Sequence, residues 1–218
     1  MGPCYSALVR RLPLTLLVAL ALLTACDSNN NAGTTVNFVG NSTCDTSGQS
    51  PYSPSPPNTN TTPVGQSIDE MPHYHVAQGT QITYMHNPPT SGCHYSLGSG
   101  TSPLKPGIYL ATSATKLTPQ YWVHNLEHGY VVVTYNCPNG CDADLQTLQS
   151  WFVTLPPDAG AAVPYAKFIA VPDTTQKEKF DVLSWDWFDP LGTTLNLNEI
   201  KKFYACHTNQ APEGANTP

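Results

Sequence analysis

The stretch Val123–Tyr135, VHNLEHGYVVVTY, joins the clearest strand of the chain to its sharpest cluster of polar side chains. Its second half, Tyr130–Tyr135, is a run of β-branched and aromatic residues, and such a run predicts a strand. Its first half, which ends at Gly129, carries two histidines and a glutamate. A sheet is therefore expected in the fold, with the polar cluster immediately before one of its strands.

Four further segments, on both sides of this stretch, have the composition of strands. They are Gln81–Met85, Ile108–Ala111, Ala166–Val171 and Val182–Trp187. Two predicted helices alternate with the later strands in the order β-α-β-β-α. This order predicts an α+β fold in which a mainly antiparallel sheet packs with about two helices.

Both predicted helices have a recognisable start and one apolar face. Asp142 can cap the first helix, which ends before the paired prolines at 156 and 157. Asn196 and Glu199 are three residues apart and form a capping box at the start of the second helix. The apolar faces consist of Leu145, Leu148 and Phe152 in the first helix, and of Leu197, Ile200, Phe203 and Tyr204 in the second.

The N-terminal region has the order of an export signal. Arg10 and Arg11 precede the apolar run Leu12–Leu23, and small residues lead from it to Cys26. The run is shorter than the roughly 20 residues of a membrane span, so residues 1–25 are predicted to be a signal peptide. Cys26 stands where the lipobox of bacterial lipoproteins places its acylated cysteine. We therefore expect lipidation at Cys26 and a location at the outer face of the cytoplasmic membrane. An ordinary signal peptide and a short uncleaved anchor are the alternatives.

The remaining chain divides into a tether and a domain. Residues 26–67 are rich in Asn, Ser, Thr, Gly and Pro and predict a flexible tether. Residues 68–218 are predicted to form a single α+β domain. Without the two signal arginines the chain has seven Lys and Arg against fifteen Asp and Glu, a formal charge of −8. This balance argues against nucleic acid as a partner and is compatible with cations.

Five cysteines remain after those at positions 4 and 26. Outside the cytoplasm disulfides are expected, and the odd number leaves at least one cysteine otherwise engaged. Cys137 and Cys141 enclose a turn-forming Pro-Asn-Gly and are predicted to form a disulfide. One further bridge is possible among Cys44, Cys93 and Cys206, and a cysteine left over could supply a thiolate ligand.

Histidines are the most informative residues of the domain, which contains all seven of them. His124 and His128 are four apart, so they share one side of either a helical turn or a strand. Glu127 could bind a metal, orient a histidine or act as a base. Imidazole and carboxylate together suit zinc, copper or iron. The spacing also fits the His-x-x-Glu-His motif of zinc peptidases, but that motif needs a sustained helix and strand sequence follows here.

A constrained loop delivers a further histidine. The segment 87–94, NPPTSGCH, contains two prolines and a glycine and ends in His94. For any single histidine, a hydrogen bond to a backbone carbonyl is the commoner role. Considered together, His94, His124, Glu127 and His128 predict a metal or polar binding site. His73 and His75, two apart, can contribute from one strand face, whereas His86 and His207 are expected to lie outside the site.

These motifs resemble a bacterial family, domain of unknown function 3105. The resemblance covers about residues 73–213 and rests on His75-Val76, Gly79-Thr80, Tyr84, 87–92 (NPPTSG), His94, 107–109 (GIY), 123–129 (VHNLEHG) and 211–213 (APE). It implies that the polar signature consists of His75, His94, His124, Glu127 and His128. It also implies export and, for some members, an association with copper-handling proteins. The family usually has proline where this chain has Cys93, which indicates a local disulfide or an added thiolate ligand.

Three functions fit these residues. The first is a lipid-anchored extracytoplasmic protein that binds copper or zinc through the histidines, with the membrane and the metal as its partners. The second is a metal-dependent hydrolase with Glu127 as its base. The third is a non-catalytic surface module whose histidines only brace loops. Nothing in the sequence indicates a nucleotide, an organic cofactor or a particular protein partner.

Overall fold

The structure, a computed structural model, describes residues 64–96, 103–112, 116–157, 165–214 and 217. The predicted signal peptide, the proposed lipidation site Cys26, Cys44 and nearly all of the predicted tether lie outside these residues. Within them, no helix has both the length and the apolar character needed to cross a membrane.

A six-stranded sheet forms the centre of the described domain. Its strands are β1 Gln66–Ser67, β4 Gly107–Ile108, β5 Val131–Tyr135, β6 Phe168–Pro172, β7 Phe180–Ser184 and β8 Trp187–Gly192; β2 (His75–Val76) and β3 (His94–Tyr95) form a separate two-stranded sheet. The strand order of the larger sheet is β1-β8-β7-β5-β6-β4. Three of its five strand pairings are antiparallel, and the two pairings of β6 are parallel. With three helices, this sheet confirms the predicted α+β class. β1 pairs with β8, and Val64 just before it is buried in the core.

The strand β5 confirms the prediction made for 130–135. All five of its residues are buried, because it lies between β6 and β7 and both faces of the sheet are covered. Val131 and Val133 point into one hydrophobic cluster and Val132 into the other. Alternate side chains of a strand point to opposite faces, so an unbroken apolar run suits a strand covered on both sides.

The two predicted helices pack on the face of the sheet to which Val131 and Val133 point. The helix α2 spans Asp142–Phe152 and directs Leu145 and Leu148 into the core. Its N-cap is Cys141, one residue before the predicted Asp142, and Cys141 forms a disulfide with Cys137. The helix α3 spans Leu197–His207 and begins with the predicted cap, since the Asn196 side chain accepts a hydrogen bond from the Glu199 backbone N–H at 3.2 Å.

A third helix, α1, spans Pro119–Glu127 and packs on the opposite face. The sequence contained its signals, because proline is favoured at the first helical position and Gly129 follows the last turn. The run of strand-forming residues directly after the histidine motif nevertheless favours a strand there, so the sequence pattern predicts no sustained helix. The chain turns from α1 directly into β5.

Two strand predictions need correction. Gln81–Met85 forms no strand: the Tyr84 hydroxyl donates to the Cys93 carbonyl at 2.6 Å, and the Met85 N–H contacts the Met71 sulfur at 3.3 Å. The segment thus packs against loops rather than pairing with the sheet. The predicted strand Val182–Trp187 is in fact the end of β7, a turn and the start of β8. Asp186 makes this turn with φ of 60°, although no glycine or asparagine marks it.

A candidate metal centre

The last turn of α1 presents three polar side chains of the candidate centre. His124, Glu127 and His128 occupy positions i, i+3 and i+4, which lie on one side of a helix. Gly129 ends this turn with φ of +82°, and a Cβ there would lie 2.7 Å from the Cα of Asn209. The close approach of these two backbones fixes where the helix ends.

Two very short strands bring His75 and His94 next to each other. β2 (His75–Val76) pairs in parallel with β3 (His94–Tyr95), and His75 is in register with His94. Residues in register on neighbouring strands have their side chains side by side. The ring centroids of His75 and His94 are 4.9 Å apart.

The loop that leads to His94 is fixed to the rest of the domain by hydrogen bonds. The Thr90 carbonyl accepts from the Asp186 N–H at 3.2 Å, and the Ser91 hydroxyl accepts from the Met71 N–H at 3.0 Å. Gly92 has φ of +119°, a backbone conformation that other residues rarely adopt. The loop is therefore rigid where it delivers the histidine, as the two prolines and the glycine predicted.

Three imidazoles and one carboxylate converge at the centre. The ring centroids of His124 lie 4.8 Å from those of His94 and 4.9 Å from those of His75. The Glu127 Oε2 lies 2.8 Å from the His94 Nε2 and 3.7 Å from the His75 Nε2. One potential ligand atom from each of the four residues lies within 4.8 Å of all the others. This is a ligand set that could hold a metal ion.

Backbone carbonyls orient the two innermost histidines. The Nδ1 of His94 donates to the Gly92 carbonyl at 2.8 Å, and the Nδ1 of His124 donates to the Tyr95 carbonyl at 2.7 Å. Because each carbonyl requires a donor, Nδ1 carries the proton and Nε2 is the nitrogen that can coordinate a metal. His94 Nε2 and Glu127 Oε2 are both buried, and neither has a well-directed hydrogen bond within the described residues.

The electrostatics of the centre favour neutral His75 and His124 beside an ionised Glu127 carboxylate. Burial, followed by the positive charge of neighbouring histidines, lowers the pKa of His124 to about 3. Burial and the charge of His94 also lower the pKa of His75. Burial acts to raise the pKa of Glu127, but its contact with His94 and the nearby histidines outweigh burial and lower that pKa to about 2. These are the protonation states that metal coordination requires.

The entrance to the centre lies at His75. Its side chain is 45 % exposed, whereas that of His94 is fully buried and that of Glu127 is 8 % exposed. A ligand can therefore reach the centre past the partly exposed imidazole of His75.

A second, partly overlapping group lies beside the first. The His128 Nε2 is 3.2 Å from the Glu213 Oε2, and the His128 ring is 4.6 Å from that of His124. One potential ligand atom from each of Glu127, His128 and Glu213 also lies within 4.8 Å of the other two, so this group could hold a metal ion. The buried Lys167 donates to the backbone carbonyls of His128 and Gly214, each at 2.7 Å, and so ties the C-terminal segment to the end of α1.

His73 lies between the carboxylates of Glu70 and Glu127. Its Nδ1 is 3.1 Å from the Glu70 carboxylate, and its Nε2 is 4.0 Å from the Glu127 Oε1. The ring of Trp185 packs edge-on against it at 5.1 Å, and the Trp185 indole donates to Glu70 at 3.0 Å. His73 is therefore nearest to the Oε1 of Glu127, whereas the more exposed His75 is nearest to its Oε2.

The structure brings together four of the five residues of the predicted polar signature, and the fifth, His128, lies beside them. Cys93 is disulfide-bonded, so it offers no thiolate to the centre. The predicted disulfide between Cys137 and Cys141 is formed. His207 and His86 lie elsewhere, in contact with aromatic rings and backbone carbonyls.

The supporting residues of the centre are hard to recognise in the sequence. Glu213 belonged to a quoted motif, APE, which was the one available signal for it. Glu70 and Lys167 carried no signal, because neither is near the histidines in sequence. Their roles follow from hydrogen bonds between segments that only the folded chain brings together.

The chain matches a family model described as protein of unknown function, DUF3105, over residues 75–218. It therefore belongs to this family, and the matched region contains every residue of both groups of potential metal ligands. No curated protein and no solved structure matches the chain.

Proposed function

We propose that this member of the DUF3105 family is a lipid-anchored extracytoplasmic protein that binds a transition metal. Its ligands are the imidazoles of His75, His94 and His124 and the carboxylate of Glu127. The observation that carries the proposal is the direct approach of the buried Glu127 Oε2 to the His94 Nε2, at 2.8 Å, without a well-directed hydrogen bond. Burying an acceptor beside the coordinating nitrogen of an oriented imidazole is unfavourable unless a cation lies nearby.

Copper is proposed ahead of zinc as the metal. Imidazole nitrogen suits both, and for a given nitrogen and oxygen site divalent copper binds more tightly than zinc. Three imidazoles and one carboxylate can satisfy either ion. The backbone carbonyls that accept from Nδ1 of His94 and His124 are the outer partners usual for histidine ligands.

The location is proposed from the N-terminal sequence. The order of basic, apolar and small residues before Cys26 supports export and acylation. Mass spectrometry of the N-terminal peptide from membranes should find Cys26 as its first residue with acyl chains attached. A Cys26→Ser variant should lose the acyl chains and leave the membrane fraction. An unmodified Cys26 in a cleaved chain would contradict the lipid anchor.

A hydrolase that uses Glu127 as its base is a weaker proposal. A general base works best when its pKa is near the operating pH. The pKa of Glu127 is lowered to about 2, chiefly by its contact with His94 against the effect of burial, so its carboxylate is a weak base. Its position among three imidazoles supports coordination. A module in which the histidines only brace loops is also less favoured, because each braced Nδ1 leaves an Nε2 directed toward a shared centre.

Calorimetric titration of the purified full chain with Cu(II), Cu(I) and Zn(II) tests the proposal. His94→Gln removes a buried ligand, and His86→Gln is the matched control because His86 lies outside the centre. Removal of an outer-shell partner alone typically costs about 10- to 100-fold in metal affinity. We therefore expect His94→Gln to weaken the tightest binding by at least about 100-fold and His86→Gln to leave it unchanged.

The result is read together with circular dichroism of each variant. Wild-type binding that is no tighter than that of a folded His94→Gln variant would overturn the proposed centre. Tighter binding of Zn(II) than of Cu(II) would retain the centre and correct the metal.

A further inference from the structure

We propose that the centre binds two metal ions and that Glu127 bridges them; this inference rests on the proposed metal binding. The second position is formed by Glu127, His128 and Glu213, whose ligand atoms all lie within 4.8 Å of one another. Glu127 is the one residue common to both groups. A carboxylate has two oxygens, so it can coordinate one ion through each.

The two positions adjoin each other. The rings of His124 and His128, one from each group, lie 4.6 Å apart on the same turn of α1. Ions in two-metal sites are usually about 3.5–4 Å apart. Ligands on neighbouring positions of one helical turn, with a shared carboxylate between them, suit such a separation.

Backbone hydrogen bonds hold Glu213 next to the end of α1. Its N–H donates to the Glu127 carbonyl at 3.2 Å, and the next carbonyl, of Gly214, accepts from the buried Lys167. Lys167 also binds the carbonyl of His128. One buried cation thus holds the helix end and the C-terminal segment together, and these two segments supply the ligands of the second position.

The burial of the shared carboxylate and of His128 also favours a cation between the groups. The Glu127 side chain is only 8 % exposed, and its Oε2 has no well-directed hydrogen bond within the described residues. His128 is buried as well, with a side-chain exposure of 3 %. Buried carboxylates in proteins are normally paired or bind metals.

The two positions differ in chemistry and access. The first offers three imidazoles and one carboxylate, whereas the second offers one imidazole and two carboxylates. The second is therefore suited to harder divalent ions as well as to copper and zinc. Its Glu213 side chain is 41 % exposed, so solvent can complete the coordination there.

Copper stoichiometry and electron paramagnetic resonance of the full chain test the bridge. We expect wild type to retain two Cu(II) ions per chain after gel filtration. The second ion should broaden or remove the signal of the first, because spins coupled through a bridging carboxylate no longer behave as isolated centres. Glu213→Gln should retain one ion with an isolated-centre signal. Glu178→Gln is the matched control, since Glu178 pairs with Lys177, and it should behave as wild type.

The outcomes separate this inference from the proposed function. One tightly bound ion with the same isolated signal in wild type and Glu213→Gln would overturn the second position and leave the first intact. Two ions without spin coupling would overturn the bridge. No bound copper, with no bound zinc in parallel samples, would overturn the proposed function itself.

Discussion

The two faces of the central sheet are covered by layers of unlike construction. On one face the regular helices α2 and α3 pack against apolar side chains from β5, β6 and β7. On the other, α1 packs with loops and with the two-residue strands β2 and β3, and the buried groups there include histidines, carboxylates and Lys167. The first layer is stabilised mainly by apolar area. The second depends on hydrogen bonds that place polar groups.

The two layers can be compared through one buried histidine in each, His207 and His124. His207 donates from Nε2 to the Val64 carbonyl at 2.8 Å and packs between Trp187 and Phe203. Burial lowers the pKa of His207 to about 4, and burial with neighbouring imidazoles lowers that of His124 to about 3. Both histidines are neutral and bound to a carbonyl. Only His124 has other ligand atoms around its second nitrogen, so neighbours rather than burial distinguish a candidate ligand.

Phe168→Ala should have the largest effect on stability and test the independence of the layers. Phe168 is fully buried, and its ring lies 5.0 Å from that of Trp151 and 6.2 Å from that of Tyr204. Loss of such a side chain costs about 3–5 kcal/mol. Urea unfolding should show this loss, whereas metal stoichiometry in the absence of urea should not change. Leu110→Ala, at a half-exposed site, is the control. Loss of metal binding in a folded Phe168→Ala variant would contradict the independence of the two layers.

Gly129→Ala should have the second largest effect on stability, and it should act on the layer that contains α1, β2 and β3. The new Cβ would lie 2.7 Å from the Asn209 Cα at a φ of +82°. Strain at such positions costs about 1–3 kcal/mol, and the clash adds to it. Gly140→Ala is the matched control, because Gly140 has φ of +84° and open space around its Cβ position. Thermal unfolding should show a larger loss for Gly129→Ala, together with weaker metal binding. Equal losses in the two variants would show that the backbone contact with Asn209 is unimportant.

A smaller effect on the free energy of unfolding is expected from the titration of Asp186, which lies in the layer that contains α1. Burial and then the charge of Glu70 raise the pKa of Asp186 to about 9. The folded protein keeps a proton that the unfolded chain releases near its ordinary pKa. The stabilisation from Asp186 is therefore complete below about pH 4 and is lost as the pH rises through about 9. Burial raises the pKa of Asp181 to about 7, so the interval from pH 7 to 9 reports mainly on Asp186.

Asp186→Asn, which cannot release this proton, should flatten that part of the stability profile. Between pH 7 and 9 the free energy of unfolding should fall in both proteins. The fall should be smaller in the variant than in wild type, by on the order of 1–2 kcal/mol. Urea unfolding at pH 5, 7 and 9 measures this, with Asp144→Asn on α2 as the control. Parallel profiles of wild type and Asp186→Asn would exclude a buried proton at this position.

Local patterns predicted the apolar layer well. The run of β-branched residues at 131–133 identified β5, and the cap formed by Asn196 and Glu199 identified the start of α3. Both signals lie within a few residues of the structure that they specify. The hairpin turn at Asp186 was missed because an apolar strand composition continues through it, and φ of 60° there is maintained by tertiary contacts.

The candidate centre was predicted in part for the same physical reason. His124, Glu127 and His128 are close in sequence, so their common side follows from helical spacing. His75 and His94 were included as separate motifs, but their distance from α1 could not be deduced. Cys93, the possible thiolate ligand, is instead engaged in a disulfide, a choice that depends on which cysteines the fold brings near.

The sequence by itself determined the α+β class, the two helices α2 and α3, the central strand and the family to which the chain belongs. It also determined which residue types are available for metal binding. Only the tertiary structure decided that β2 and β3 pair, that Glu127 lies 2.8 Å from His94, and that Glu213 reaches the same helix end. Helix and strand periodicity act over a few residues, whereas these contacts join segments that are far apart in the chain. Their geometry is set by how the loops pack on the second face of the sheet.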